Sequence, residues 1–472
     1  MANHIIQAAS SFVILLGFMI ITFAISSQQA ALSQNLAPQF QVSASSYRQE
    51  TSTKSCNLSG LISANTTWSP ASCNPYIATG SVIVDTAYTL TIEAGVTIKW
   101  NPGTALTVRG TLLAKGSAEQ PVTFTSNQTN PASGDWAGIE FVDSSKDAEY
   151  DVNESYLRGS IIQYSIIEYA GKKTNQAQGS PAINAVNASP YIDNTIIQNN
   201  QGMGVYIENG KTIHFTNNQV LFNFGTGIYF QYCEGDDSGL VDTLIHQNTI
   251  NNNKDGGMYI LSYRHCNPII SENTITNNSS DNVIGEGGGL YSSSTGINQL
   301  TTTLRKNIIS NNSTKGFCGG VALERTDHHI LEGNEINGNR SERQGGGVCV
   351  ADGFTSVSMF DNDIKNNVSK SGGGGVVTLP GIIDKLVFHY NRFENNLNNG
   401  SLNHVYNNAA QRSLNIDAEN NWWGSSDPSV IESSIFHFAD DSTRGVVDFE
   451  PFCNDACMPP DPLKVFLPLI KR

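Results

Sequence analysis

A phrase of the form N-x-[I/V/F]-x-x-N returns eight times between Asn194 and Asn396, at intervals of 24 to 34 residues. The series runs from Asn194/Ile196/Asn199 and Asn218/Val220/Asn223, through Asn248/Ile250/Asn253 and its successors, to Asn391/Phe393/Asn396. After a polar stretch of variable length, each phrase is followed by a glycine-led apolar strand, such as Gly202-Met-Gly-Val-Tyr-Ile207 or Gly287-Gly-Gly-Leu-Tyr-Ser292. A fixed motif with elastic spacing marks a solenoid. Apolar residues alternate over only three to five positions before Asn, Gly or Ser intervenes, which suits very short strands and excludes helical repeats. A turn of about 25 to 30 residues holds two or three such strands, the size of one coil of a parallel β-helix.

The conserved chemistry of the phrase fits that coil. An asparagine side chain carries both a donor and an acceptor, so Asn above Asn hydrogen-bonds along the axis, and Asn tolerates a left-handed backbone at the bend. Glycines are expected to supply positive φ at a second bend. The Ile, Val and Phe between them form a continuous inner column.

Residues 12–25 form a 14-residue apolar run followed by small residues, shorter than a spanning helix and read as an export signal over 1–33. Residues 34–75 are expected to form a flexible arm and N-terminal cap, 76–424 the β-helix and 425–457 a C-terminal cap. Residues 458–472 read as a linker with a short apolar-basic tail. The adjacent Trp422 and Trp423 are expected to cover the last coil, as an array terminus requires. Export makes the eight cysteines disulfide candidates. Cys56 with Cys73 and Cys453 with Cys457 read as end staples, and Cys233 with Cys266 as a bridge between adjacent loops. Cys318 opens a bend whereas Cys349 sits inside a strand, so their register leaves them unpaired. No metal site is expected, because C-x-x-C knuckles are absent.

Several segments resemble a known family: Gly110-Thr-Leu-Leu-Ala-Lys-Gly-Ser, Gly134-Asp-Trp-Ala-Gly-Ile-Glu-Phe141, the Asn/Gly coils, Asn420-Asn-Trp-Trp-Gly424 and Val446-Val-Asp-Phe-Glu-Pro-Phe452. Together, over about residues 80–452, they resemble the secreted right-handed parallel β-helix repeat proteins of the pectin-lyase-like superfamily. The resemblance implies an all-β, right-handed solenoid with N- and C-terminal caps. It implies no single activity, because the superfamily includes lyases, hydrolases, epimerases and proteins without known chemistry. The polygalacturonase signatures Gly-His-Gly and Arg-Ile-Lys and the Asp-Pro-His of alginate epimerases are absent.

Two candidate surfaces follow from the repeat. Alternation turns Tyr206, Tyr229, Tyr259 and Tyr291 outward in consecutive coils, a ladder at about 4.8 Å spacing that suits stacking on sugar rings. Aromatics also pair along strands with no ligand. The loops after the same strands bring Asp237, Arg264, His265, Glu324 and Asp327 to one flank, residue types that serve a polysaccharide lyase or glycoside hydrolase. Calcium would be required only for a lyase. Loop charges that simply pair with one another are the competing account of that set.

The net charge of −15 with no basic stripe excludes nucleic acid as a partner. The expected partner is an extracellular polysaccharide or cell-surface glycan, with no membrane span once the signal is removed. The sequence therefore favours a secreted or cell-surface binding or structural protein over an enzyme.

Overall fold

A computed structural model describes residues 54–171, 180–234, 243–263, 266–281, 287–294, 301–326, 328–351, 353, 355–380, 383–409 and 414–454. The described chain is a right-handed parallel β-helix. One face is a 14-stranded parallel sheet, and two further strands per coil join in a 25-stranded sheet. A short strip of six strands runs between these two strand rows in the later coils. Among the described residues the antiparallel pairings are Glu149–Tyr150 with Tyr156–Arg158, and Leu397–Asn398 with Ser401–Leu402.

One coil shows why the sequence winds this way. Strand Thr243–His246 lies in the 14-stranded face, Thr249–Asn251 forms a narrow middle face, and Met258–Tyr263 forms the third. Ile250 points inward and stacks in register with Ile275, Ile309, Ile336, Ile364 and Phe393, all fully buried. Thr249 and Asn251 on either side face outward, as the two-residue period of a strand demands.

The bends carry two asparagine ladders, and their chemistry is complete. Asn278 accepts at Oδ1 from the Asn253 backbone N–H and from Asn253 Nδ2, both at 3.0 Å. Its own Nδ2 donates to the Ile250 carbonyl at 2.9 Å and to Asn312 Oδ1 at 3.0 Å. Both amide hydrogens and both acceptor positions are therefore used inside a fully buried site. The parallel ladder passes through Asn248, Asn273, Asn307, Asn334, Asn362 and Asn391 and closes on Asn421.

Two details differ from the sequence reading. The ladder asparagines are not the left-handed residues. That conformation falls one position earlier, on Asn252, Asn277, Asn311 and Asn395 at one bend and on Gln247, Glu272 and Lys306 at the other. In the first coil of the array the rungs are consequently Asn200 and Thr195 instead of Asn199 and Asn194, which take positive φ. The strand-leading glycines are mostly required by crowding instead of positive φ. A Cβ on Gly257 would lie 2.6 Å from the Gly289 carbonyl and 2.8 Å from Asn278 Nδ2 of the next coil.

The ends are closed by the same columns. Strand Cys56–Ile62 pairs with Tyr76–Val84, so parallel pairing starts ahead of the first clear alternation at Ser81. At the other end Trp423 is buried and stacks on Phe393 at 4.7 Å and 11°. Trp422 instead faces the surface, donating from Nε1 to Glu394, so one tryptophan of the pair covers the column and not two. The second ladder ends where Asn396 Nδ2 meets His404 Nδ1 at 3.2 Å. Residues 428–433 form a short helix that buries Ile431, and Ile435–Phe436 and Val447–Asp448 extend the two large sheets.

Disulfides join Cys56 to Cys73 and Cys233 to Cys266. They also join Cys318 to Cys349, with Cα atoms 5.5 Å apart, which corrects the expectation that these two stay unpaired. The bend containing Cys318 turns with φ +67° and reaches the outward face of the strand that carries Cys349. Cys453 is disulfide-bonded as well, and Cys457 lies outside the described residues.

Candidate functional site

The outward side of the third face is one continuous column. In register it runs Thr107, Glu140, Asn184, Tyr206, Tyr229, Tyr259, Tyr291, Ala322, Cys349, Val377, Tyr406 and Phe436. The four predicted tyrosines do stand in consecutive coils. Their rings stack on one another: Tyr229 on Tyr259 at 4.3 Å and 5°, and Tyr259 on Tyr291 at 4.4 Å and 14°. Faces that the sequence offered to sugars are thus covered by neighbouring tyrosines. Tyr206 meets Tyr229 at 5.5 Å with a 33° tilt and ends the stack.

Further along the column the chain covers its own face. Tyr291, Ala322, Cys349 and Val377 are buried in a small apolar cluster with Cys318, against which Phe317, Leu379 and Tyr406 pack. The glycine-rich bends produce that cover, because a Cβ on Gly345 would collide with Cys349 Sγ and one on Gly373 would sit 2.5 Å from Val377 Cβ. Only side-chain-free residues let the bends lie this close.

At its other end the column opens. Beyond Tyr206 lies a hollow of about 490 Å³ lined by Glu140, Ser180, Asn184, Met203 and Tyr206, with Ile139 and Pro181 among its apolar walls. Strand Gly138–Phe141 presents Glu140, Ile183–Val186 presents Asn184 and Val205–Glu208 presents Tyr206. Thr107 Oγ1 donates to Glu140 Oε2 at 3.3 Å. The Tyr206 hydroxyl donates to Glu208 Oε2 at 2.9 Å and lies 2.8 Å from the Gln231 side-chain amide. Burial and then the Glu208 carboxylate raise the phenol's pKa, so Tyr206 remains a neutral ring with a fixed hydroxyl. An aromatic face, a carboxylate and an amide converging on a concave surface make a polar-apolar site of the kind that holds small ligands. Sequence reading missed Glu140 and Asn184 because their coils lack the Asn phrase. The shared column position, one residue before the paired inward residues Phe141 and Ala185, is the signal that could have found them.

The loop candidates resolve differently. Asp237, Arg264, His265 and Asp327 lie outside the described residues. Glu324 is half-buried and accepts from the Tyr291 hydroxyl at 2.8 Å. Burial, followed by this carboxylate, raises the Tyr291 pKa. Among the described residues no group of three or more His, Cys, Asp or Glu is placed to hold a metal ion, and no helix is long and apolar enough to cross a membrane.

Comparison with known proteins agrees with the winding. Residues 215–381 match a family described as the right handed beta helix region, and residues 60–183 match one described as a pectate-lyase like beta helix domain. Among solved structures, the periplasmic alginate epimerase AlgG is similar at 12% identity over 70% of this chain and 72% of that one, with a TM-score of 0.32. A double mutant of the same enzyme gives 14% identity over 79% and 74%, with a TM-score of 0.28. Likeness at that level carries no information about activity. No curated protein matches the chain.

Proposed function

We propose a carbohydrate-binding function for this protein, which belongs to the right-handed parallel β-helix proteins of the pectin-lyase-like superfamily. In this reading the chain is exported by the apolar run at 12–25 and acts outside the cytoplasm or at the cell surface. It holds a glycan in the hollow where the tyrosine stack ends. The observation that carries the reading is Tyr206: an aromatic at the open end of a stack, fixed by Glu208, beside a hollow that also presents a carboxylate and an amide. Sugars are recognised by such a pairing of an apolar platform with nearby hydrogen-bonding groups. The buried end of the same column, from Tyr291 to Val377, is structural in this account.

Affinity electrophoresis through gels cast with individual polysaccharides tests it. The wild-type protein is expected to be retarded by at least one of them. Tyr206→Ala should weaken that retention about tenfold, a loss of about 1.4 kcal/mol, without shifting the thermal unfolding midpoint by more than a few degrees. Retention by no polysaccharide, or equal retention of wild type and Tyr206→Ala, would remove this function.

A further inference from the structure

We infer that the hollow at Tyr206 selects uncharged glycans and rejects uronate polymers, an inference that rests on the carbohydrate reading above. Its charge carries the argument. Among the described residues lining the hollow, Glu140 is the single ionisable acid and no lysine, arginine or histidine is present. Glu140 is exposed, and its one hydrogen bond within the described chain is the long 3.3 Å contact from Thr107. A second carboxylate, Glu208, stands behind the Tyr206 hydroxyl. The phenol contributes no charge of its own, since burial and Glu208 keep it protonated.

Three basic groups of this part of the chain lie on a different face. Lys115, Lys146 and Arg158 gather at a separate hollow beside the hairpin of residues 149–158, on the 14-stranded sheet, where Arg158 pairs with Glu149. Lys115 there rests over the Tyr156 ring at 4.9 Å. The whole chain adds a net charge of −15. A polyuronate brings one carboxylate per sugar, so it would meet the Glu140 carboxylate in the hollow and an acidic field around it. A neutral sugar instead donates its hydroxyls to Glu140 in charge-assisted hydrogen bonds, with Asn184 able to donate and accept beside it. Glu140 is thus assigned as a specificity residue that accepts from hydroxyls and excludes carboxylates.

The test is calorimetric titration of the full chain, at low ionic strength and pH 7, with hexamers of two classes. One class is uncharged (glucan, xylan, N-acetylglucosamine) and the other is uronate (galacturonate, guluronate). The expected result is that at least one uncharged hexamer binds about tenfold or more tightly than either uronate. Glu140→Gln, which keeps the shape and removes the charge, should narrow that ratio to within about threefold. Uronates binding as tightly as the uncharged hexamers to the wild type, or a ratio unmoved in Glu140→Gln, would overturn the selectivity. Binding by neither class would instead overturn the carbohydrate function itself, so the two failures are distinguishable.

Discussion

Replacing Asn278 with alanine is expected to destabilise the protein by about 3–5 kcal/mol. The side chain is fully buried and takes part in four hydrogen bonds spanning three coils. Truncation leaves the Asn253 N–H without its acceptor, and takes one bond each from the Asn253 amide, the Ile250 carbonyl and the Asn312 oxygen, in a place water does not reach. Each abandoned group costs about 1 kcal/mol or more. Asn278→Asp should be nearly as damaging despite its shape. It loses both donors, sets a carboxylate oxygen against the Ile250 carbonyl and Asn312 Oδ1, and buries a charge. An outward residue of the same coil, Thr276, is half-buried and should tolerate alanine within about 1 kcal/mol. Urea unfolding of the three variants checks the order. Equal midpoints for Asn278→Ala and Thr276→Ala would mean the ladder does not hold the coils.

Acidification is expected to have an effect of comparable size, through two buried histidines. Burial lowers His329 to about 3 and His404 to about 4, both from an ordinary value near 6.5. A histidine whose folded pKa is depressed contributes nothing to the pH dependence while both states are neutral, above about pH 6.5. As pH falls below that value the unfolded chain takes up the proton and the native chain does not, so stability is lost down to the folded pKa. Each unit of that interval costs about 1.4 kcal/mol per group, so by pH 4.5 the pair should cost about 5 kcal/mol. His404 has a further reason to stay neutral, because its Nδ1 closes the second ladder by meeting Asn396 Nδ2. Thermal unfolding between pH 7 and 4.5 should show the wild type falling steeply. His329→Leu and His404→Gln should each flatten the curve, and parallel curves for all three would refute the assignment.

The solenoid was legible because its ladders demand one residue type at one place in every coil. Asparagine is required where an amide must both donate and accept inside the protein, and no sheet surface imposes so strict a demand. The same strictness explains the first-coil error. The stretch Asp193-Asn-Thr-Ile-Ile-Gln-Asn-Asn200 offers two asparagine registers, and the backbone decides between them by placing Asn194 and Asn199 in the left-handed region. Residue identity alone does not carry that choice.

Strand alternation likewise turned the tyrosines to the correct side of the sheet. It could not show that their rings pile on each other, nor that glycine bends fold over Ala322, Cys349 and Val377. The Cys318–Cys349 bridge was hidden for the same reason, since register records which face a strand residue takes and not the path of a bend. Glu140 and Asn184 escaped because they belong to coils without the repeated phrase, where only their place in the column links them to Tyr206.

Where a glycan sits on this face can be measured directly by hydroxyl-radical footprinting with a retained oligosaccharide. Met203 and Tyr206 line the hollow, while Phe222 and Phe224 are exposed outside it and serve as internal references. A ligand seated at the end of the tyrosine stack should lower oxidation of Met203 and Tyr206 several-fold and leave both phenylalanines unchanged. Undiminished oxidation of Met203 and Tyr206 at saturating ligand would contradict it.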